Sequence, residues 1–157
     1  MKRTLAALGT LAVLASAATT IATADTPTPT IYRAQLNAVC RSYTPRFKKY
    51  EAQIAAAQKA GNNHALGYVL GELLATALLQ DSQLERAPVP PALESRLTPI
   101  IARLRQADLH IRLFLGASGR ADAQTMGAEW TKLGKIGAPL NRMFDAAGLR
   151  DCGSNQP

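Results

Sequence analysis

Aromatic side chains are scarce in this sequence, with one tryptophan, four tyrosines and three phenylalanines in 157 residues. So few rings could stack few bases, which makes a nucleic-acid surface a poor expectation. Histidine is rarer still. His64 and His110 fall on different predicted helices, and no metal-ligand cluster can be assembled around either. Gly-rich phosphate loops are missing too, because Gly134 and Gly137 lie in a helical segment without the fingerprint spacing or a preceding strand. No Ser-His-Asp or Cys-His set can be placed, and pairing of the only two cysteines would remove both thiols from nucleophilic duty. These absences disfavour an enzyme, and no catalytic residue, metal or cofactor is assigned.

The two cysteines that are present, Cys40 and Cys152, bracket almost everything after the first two dozen residues. That opening stretch carries Lys2 and Arg3, an Ala/Leu-rich run from Leu5, and Ala22-Thr23-Ala24 as a small-x-small cleavage site. The expectation is a signal peptide over 1–24, a mature protein beginning at Asp25, and a secreted or periplasmic location. A cut after Ala17 is a variant of this reading. Its rival is an uncleaved anchor, since Leu5 to Ala22 approaches the roughly 18 residues needed to span a bilayer. Threonines and a serine dilute that run, and no stable membrane span is expected once the leader is removed. In an oxidising compartment an even cysteine count favours one disulfide between Cys40 and Cys152, with intermolecular pairing or two free thiols as the alternatives.

The chain beyond the leader suits one hydrophobic core and a single domain over 31–157, after an extended proline-threonine lead-in over 25–30. Its net charge, +7 for the whole chain, is moderate and scattered. Arg41, Arg46, Lys48 and Lys49 form the densest cluster, read as a solvated helix face, with attraction to an anionic envelope polymer or lipid as the alternative.

Four segments show apolar spacing of three and four residues. In the first, Tyr32, Leu36, Cys40, Tyr43, Phe47, Tyr50 and Ile54 share a face, with a kink or fresh start expected at Pro45. Gly61-Asn62-Asn63 supplies a stop and the next cap. The second, His64 to about Arg86, is apolar on more than half its circumference and leaves Glu72, Thr76, Gln80 and Gln83 for water. Its Gly67/Gly71/Ala75 spacing would admit another backbone, inside the domain or at a subunit interface. Ala87-Pro88-Val89-Pro90-Pro91 is a stiff hinge. The third helix runs from about Ala92 to Gly116 with Leu97, Ile101, Leu104, Ile111 and Leu115 inward, and Pro99 is either tolerated early in it or marks a late start. The fourth runs from about Ala121 to Ala147 with Met126, Trp130, Leu133, Gly137, Leu140 and Phe144 inward, bent at Pro139 and ended by Gly148. The expected fold is all-α: an up-down-up-down four-helix bundle with Pro-kinked helices and its termini joined by one disulfide.

The words around the cysteines, Asn37-Ala38-Val39-Cys40 and Ala147-Gly148-Leu149-Arg150-Asp151-Cys152-Gly153, resemble those of a group of small, alanine-rich, exported helical proteins of GC-rich bacteria, generally described as uncharacterised. The resemblance implies the same disulfide-clasped helical domain and carries over no activity, ligand or catalytic residue.

One polar feature stands apart. Asp108 falls on the core stripe of the third helix and Asn141 on that of the fourth, and a buried carboxylate needs a partner. Arg105, Arg112, Asn141, Tyr43 and Tyr50 are the candidates, giving either a register-fixing polar cluster or a small ligand cavity. Two functions are expected on these grounds. The first is a non-enzymatic exported protein acting on an envelope component or on a second copy through the second helix. The alternative is a carrier of haem or lipid between helices, with Tyr32, Tyr43, Tyr50 and His64 as haem candidates.

Overall fold

A computed structural model describes residues 26–156, and the expected signal peptide over 1–24 lies outside them. The described elements are α1 (Pro29–Lys59), α2 (Asn63–Arg86), a single 3-10 turn (Pro91–Leu93), α3 (Glu94–Ser118) and α4 (Ala123–Ala146). None of the described helices is long and apolar enough to cross a membrane.

Side-chain caps set the starts of α1, α2 and α4. Thr28 accepts a hydrogen bond from the Ile31 amide with Pro29 at the first turn, so α1 begins two residues inside the stretch expected to be a lead-in. Asn62 accepts from the Ala65 amide at 3.0 Å, and Asp122 accepts from the Thr125 amide at 3.0 Å and from its hydroxyl at 2.6 Å. Gly61, with φ at +61°, makes the reversal before Asn62 in a conformation that a side chain would strain. Pro45, Pro99 and Pro139 all lie inside helices, which continue through them. Each ring removes one backbone hydrogen bond without ending the element, because the surrounding turns stay anchored by packing.

Consecutive helices pack against each other, α1 on α2, α2 on α3 and α3 on α4. This is the expected up-down-up-down order. The principal core gathers Tyr32, Leu36, Leu84, Leu93, Leu97, Ile100, Leu104, Leu140, Phe144 and Leu149 around the Cys40–Cys152 disulfide, and a second, smaller cluster forms around Leu74, Ile111 and Phe114. Each such side chain removed from water contributes about 1.5–3 kcal/mol before entropy is counted.

No extensive packing joins α1 to α4 along their length. Their seam is closed at one end by the chain after α4. Gly148, in the left-handed conformation at φ +80°, turns that segment back onto α1. The Arg33 guanidinium donates to the Ala147 carbonyl at 2.9 Å, the Asn37 amide donates to the Gly148 carbonyl at 3.1 Å, and the Asp151 N–H donates to Asn37 at 3.1 Å. Arg41 pairs with Asp151, and the disulfide follows with its Cα atoms 5.1 Å apart. Gly153 lies so close to α4 that an added Cβ would stand 2.7 Å from the Asn141 carbonyl oxygen. Clasp and tail thus act as a cover over one end of the α1–α4 seam.

Candidate functional site

Where α1 and α4 part, a cavity of about 330 Å³ opens between them. Its walls are Phe47 from α1, Leu73 and Ala77 from α2, Leu104 from α3, and Leu140 and Phe144 from α4. Gln80 and Asp81 from α2 and Gln156 from the tail supply buried or half-buried polar groups, while Glu51 and Asn141 lie exposed on α1 and α4 at its opening. All four helices and the tail contribute, so the cavity exists only in the assembled bundle.

Asp81 is the most unusual of these residues. It is 8% exposed, and its neighbouring polar group is the half-buried Asp108 carboxyl on α3, within hydrogen-bonding reach. Burial first, and then the charge of Asp108, push the Asp81 carboxyl well above its ordinary range. Burial likewise raises Asp108, while the hydrogen bond from Asp81 acts in the opposite sense. The pair's affinity for protons is raised above the ordinary carboxyl range, since two neighbouring carboxylates cannot both ionise cheaply. Glu85 stands one turn further along α2, accepts from Arg105 at 3.3 Å and adds its own charge to the pair. Arg112 acts on Asp108 from the same helix. One oxygen of Asp108, one of Glu85 and the amide nitrogen of Gln156 are buried without a partner.

The polar residues singled out in the sequence do not form one cluster. Asp108 meets Asp81 and not Asn141, Tyr43 or Tyr50. Tyr43 is buried and accepts a hydrogen bond from Gln83 at 2.9 Å, Tyr50 lies 3.3 Å from the Thr76 hydroxyl, and Asn141 is exposed. Thr76 and Gln80, expected to face water, are both 6% exposed. Trp130, expected inward, is 45% exposed with its ring tilted against Phe114, and Glu129 takes the buried place beside it. Gly67 has nothing within 4 Å of where a Cβ would stand, so no backbone among the described residues uses the small-residue spacing there. Packing thus turned Thr76, Gln80 and Glu129 inward and Trp130 outward, against the faces that helical spacing assigns them.

A second polar group lies between α3 and α4. Glu129 accepts from Lys132 at 2.7 Å and sits 2.6 Å from the His110 ring nitrogen, and these partners, Lys132 foremost, hold its carboxyl below the ordinary range. The expected basic face on α1 is dispersed: Arg41 is taken by Asp151, Arg46 lies over the Tyr43 ring, and Lys48 and Lys49 are exposed. Among the described residues no three His, Cys, Asp or Glu side chains are arranged to hold a metal ion.

Sequence reasoning missed Asp81. Its signal was a carboxylate following Leu78, Leu79 and Gln80, at a position one turn from Ala77. Comparison with family models, with curated protein sequences and with solved structures found no match.

Proposed function

We propose that this protein is an exported, non-enzymatic ligand-binding bundle that holds a small, largely apolar molecule between α1 and α4. The cavity carries the reading: six apolar side chains from all four helices wall it, and a few convergent polar groups stand ready to orient an occupant. The disulfide beside it suits an oxidising compartment. Of the two occupants considered from sequence, the lipid-like one is favoured. Neither Tyr32, Tyr43, Tyr50 nor His64 lines the cavity, so the donor set there does not suit haem iron.

Gly137 offers the test, because it lines the cavity and a Cβ there meets nothing within 4 Å. Gly137→Leu fills the space from a helical position that leucine favours. Titration with the neutral apolar dye N-phenyl-1-naphthylamine should show binding to the natural protein and a loss of about tenfold or more in Gly137→Leu, with unchanged circular dichroism. Equal binding by both proteins would remove the cavity from the account.

A second reading, association of two copies through α2, is favoured by the exposed side chains of Tyr68 and Leu79, 66% and 56% accessible.

A further inference from the structure

The α1–α4 cavity has a charge character that its apolar walls do not require. Among the described residues two ionisable side chains line it, Asp81 and Glu51, and both are acids; no described lysine, arginine or histidine does. Asp81 is more than nine-tenths buried and receives a hydrogen bond from no amide, guanidinium or ammonium among the described residues; its neighbour is another carboxyl. Charges around it confirm the sign. From α2 and α3 it faces Glu85 and Asp108, with Arg105 engaged by Glu85 and Arg112 acting on Asp108; α1 adds Glu51, while Asn141 of α4 and Gln156 of the tail are uncharged. The Gln156 carbonyl accepts from the Gln80 amide at 3.4 Å, which leaves the Gln156 amide nitrogen as an unpartnered donor in the lining. Phe47 and Phe144 both line the wall, and an aromatic face attracts a cation.

Resting on the ligand-binding reading above, we propose that the cavity takes an organic cation: a primary amine on a small apolar body, its ammonium against Asp81 and its body against Phe47 and Phe144. An ammonium gives the buried carboxyl the donor that the chain withholds. Any proton that the Asp81–Asp108 pair holds leaves to solvent, and the amine keeps its own three N–H bonds. No covalent bond is made or broken.

Calorimetric titration of the whole mature protein at neutral pH with hexylamine, 1-hexanol and hexanoate separates the cases. Hexylamine should bind about tenfold or more tightly than hexanol, with hexanoate weakest. Asp81→Asn should bring hexylamine down to the level of hexanol and leave hexanol unchanged. Glu51→Gln, on an exposed position that leaves the core intact, should weaken hexylamine by a smaller factor. Equal binding of hexylamine and hexanol, or hexylamine affinity indifferent to both substitutions, would overturn the cation assignment and leave the cavity as a neutral apolar site. Binding of none of the three, together with no dye binding, would remove the cavity reading itself.

Discussion

Asp81 exerts its influence through a proton. A carboxyl raised above its ordinary value of 3.8 binds that proton more tightly in the folded chain than in the unfolded one. Between 3.8 and the raised native value the folded state carries more protons, so this pair's contribution to stability falls as pH rises through that window. Glu129, Asp122 and Asp151 behave oppositely. Their carboxyls are lowered by hydrogen bonds from Lys132, Thr125 and Asn155 respectively, so their contributions are present above the ordinary carboxylate range and are lost as pH falls through it. Asp81→Asn keeps a donor toward Asp108 and removes the titration. Urea unfolding at pH about 5 and about 8 should therefore show a smaller difference in the variant, with a gain of roughly 1–3 kcal/mol at the higher pH. A variant less stable than the parent at both values would contradict the pair's raised affinity for protons.

At the scale of the element, α2 combines the two most exposed large apolar side chains, Tyr68 and Leu79, with a glycine that nothing packs against. Gly67 lies in the second turn of α2 with open space where its side chain would be, and inside a helix glycine costs about 1 kcal/mol relative to alanine. Gly67→Ala should raise stability by about that amount, read from the denaturation midpoint, without changing the sedimentation coefficient. A concentration-dependent dimer that weakens on this substitution would instead show that a second backbone approaches the site, and would promote association through α2 over ligand binding. The three internal prolines illustrate a related point. The sequence located each of them, but whether a proline ends a helix or merely costs it one hydrogen bond depends on how well the turns on either side are packed.

At the scale of the molecule, the fold is a row of consecutively packed helices whose first and last members are joined by a clasp. The disulfide closes a loop across a sequence separation of 112 residues, for which chain entropy gives a stabilisation of about 4–5 kcal/mol. Reduction, or the double replacement of Cys40 and Cys152 by alanine, should lower unfolding stability by up to that amount and open the tail end of the cavity first. Hydrogen exchange should then show the amides of Leu149, Cys152 and Gly153, which bond within the tail and to the end of α4, losing protection before those of α3.

Much of this architecture was legible in the chain itself. Apolar residues every three or four positions, Gly61-Asn62, the proline hinge and Gly148 punctuate four helices, and those signals are local: each depends on the conformational preferences of a few neighbouring residues. Helix order and the meeting of Cys40 with Cys152 follow from short connections between antiparallel rods. The cavity, the Asp81–Asp108 pair and the burial of Thr76 and Gln80 were settled only by tertiary packing. A helical pattern states which residues share a face, but the rotation of each helix about its axis, and the gap left where α1 and α4 separate, come from fitting side chains of four distant segments into one volume, a condition that no single segment contains.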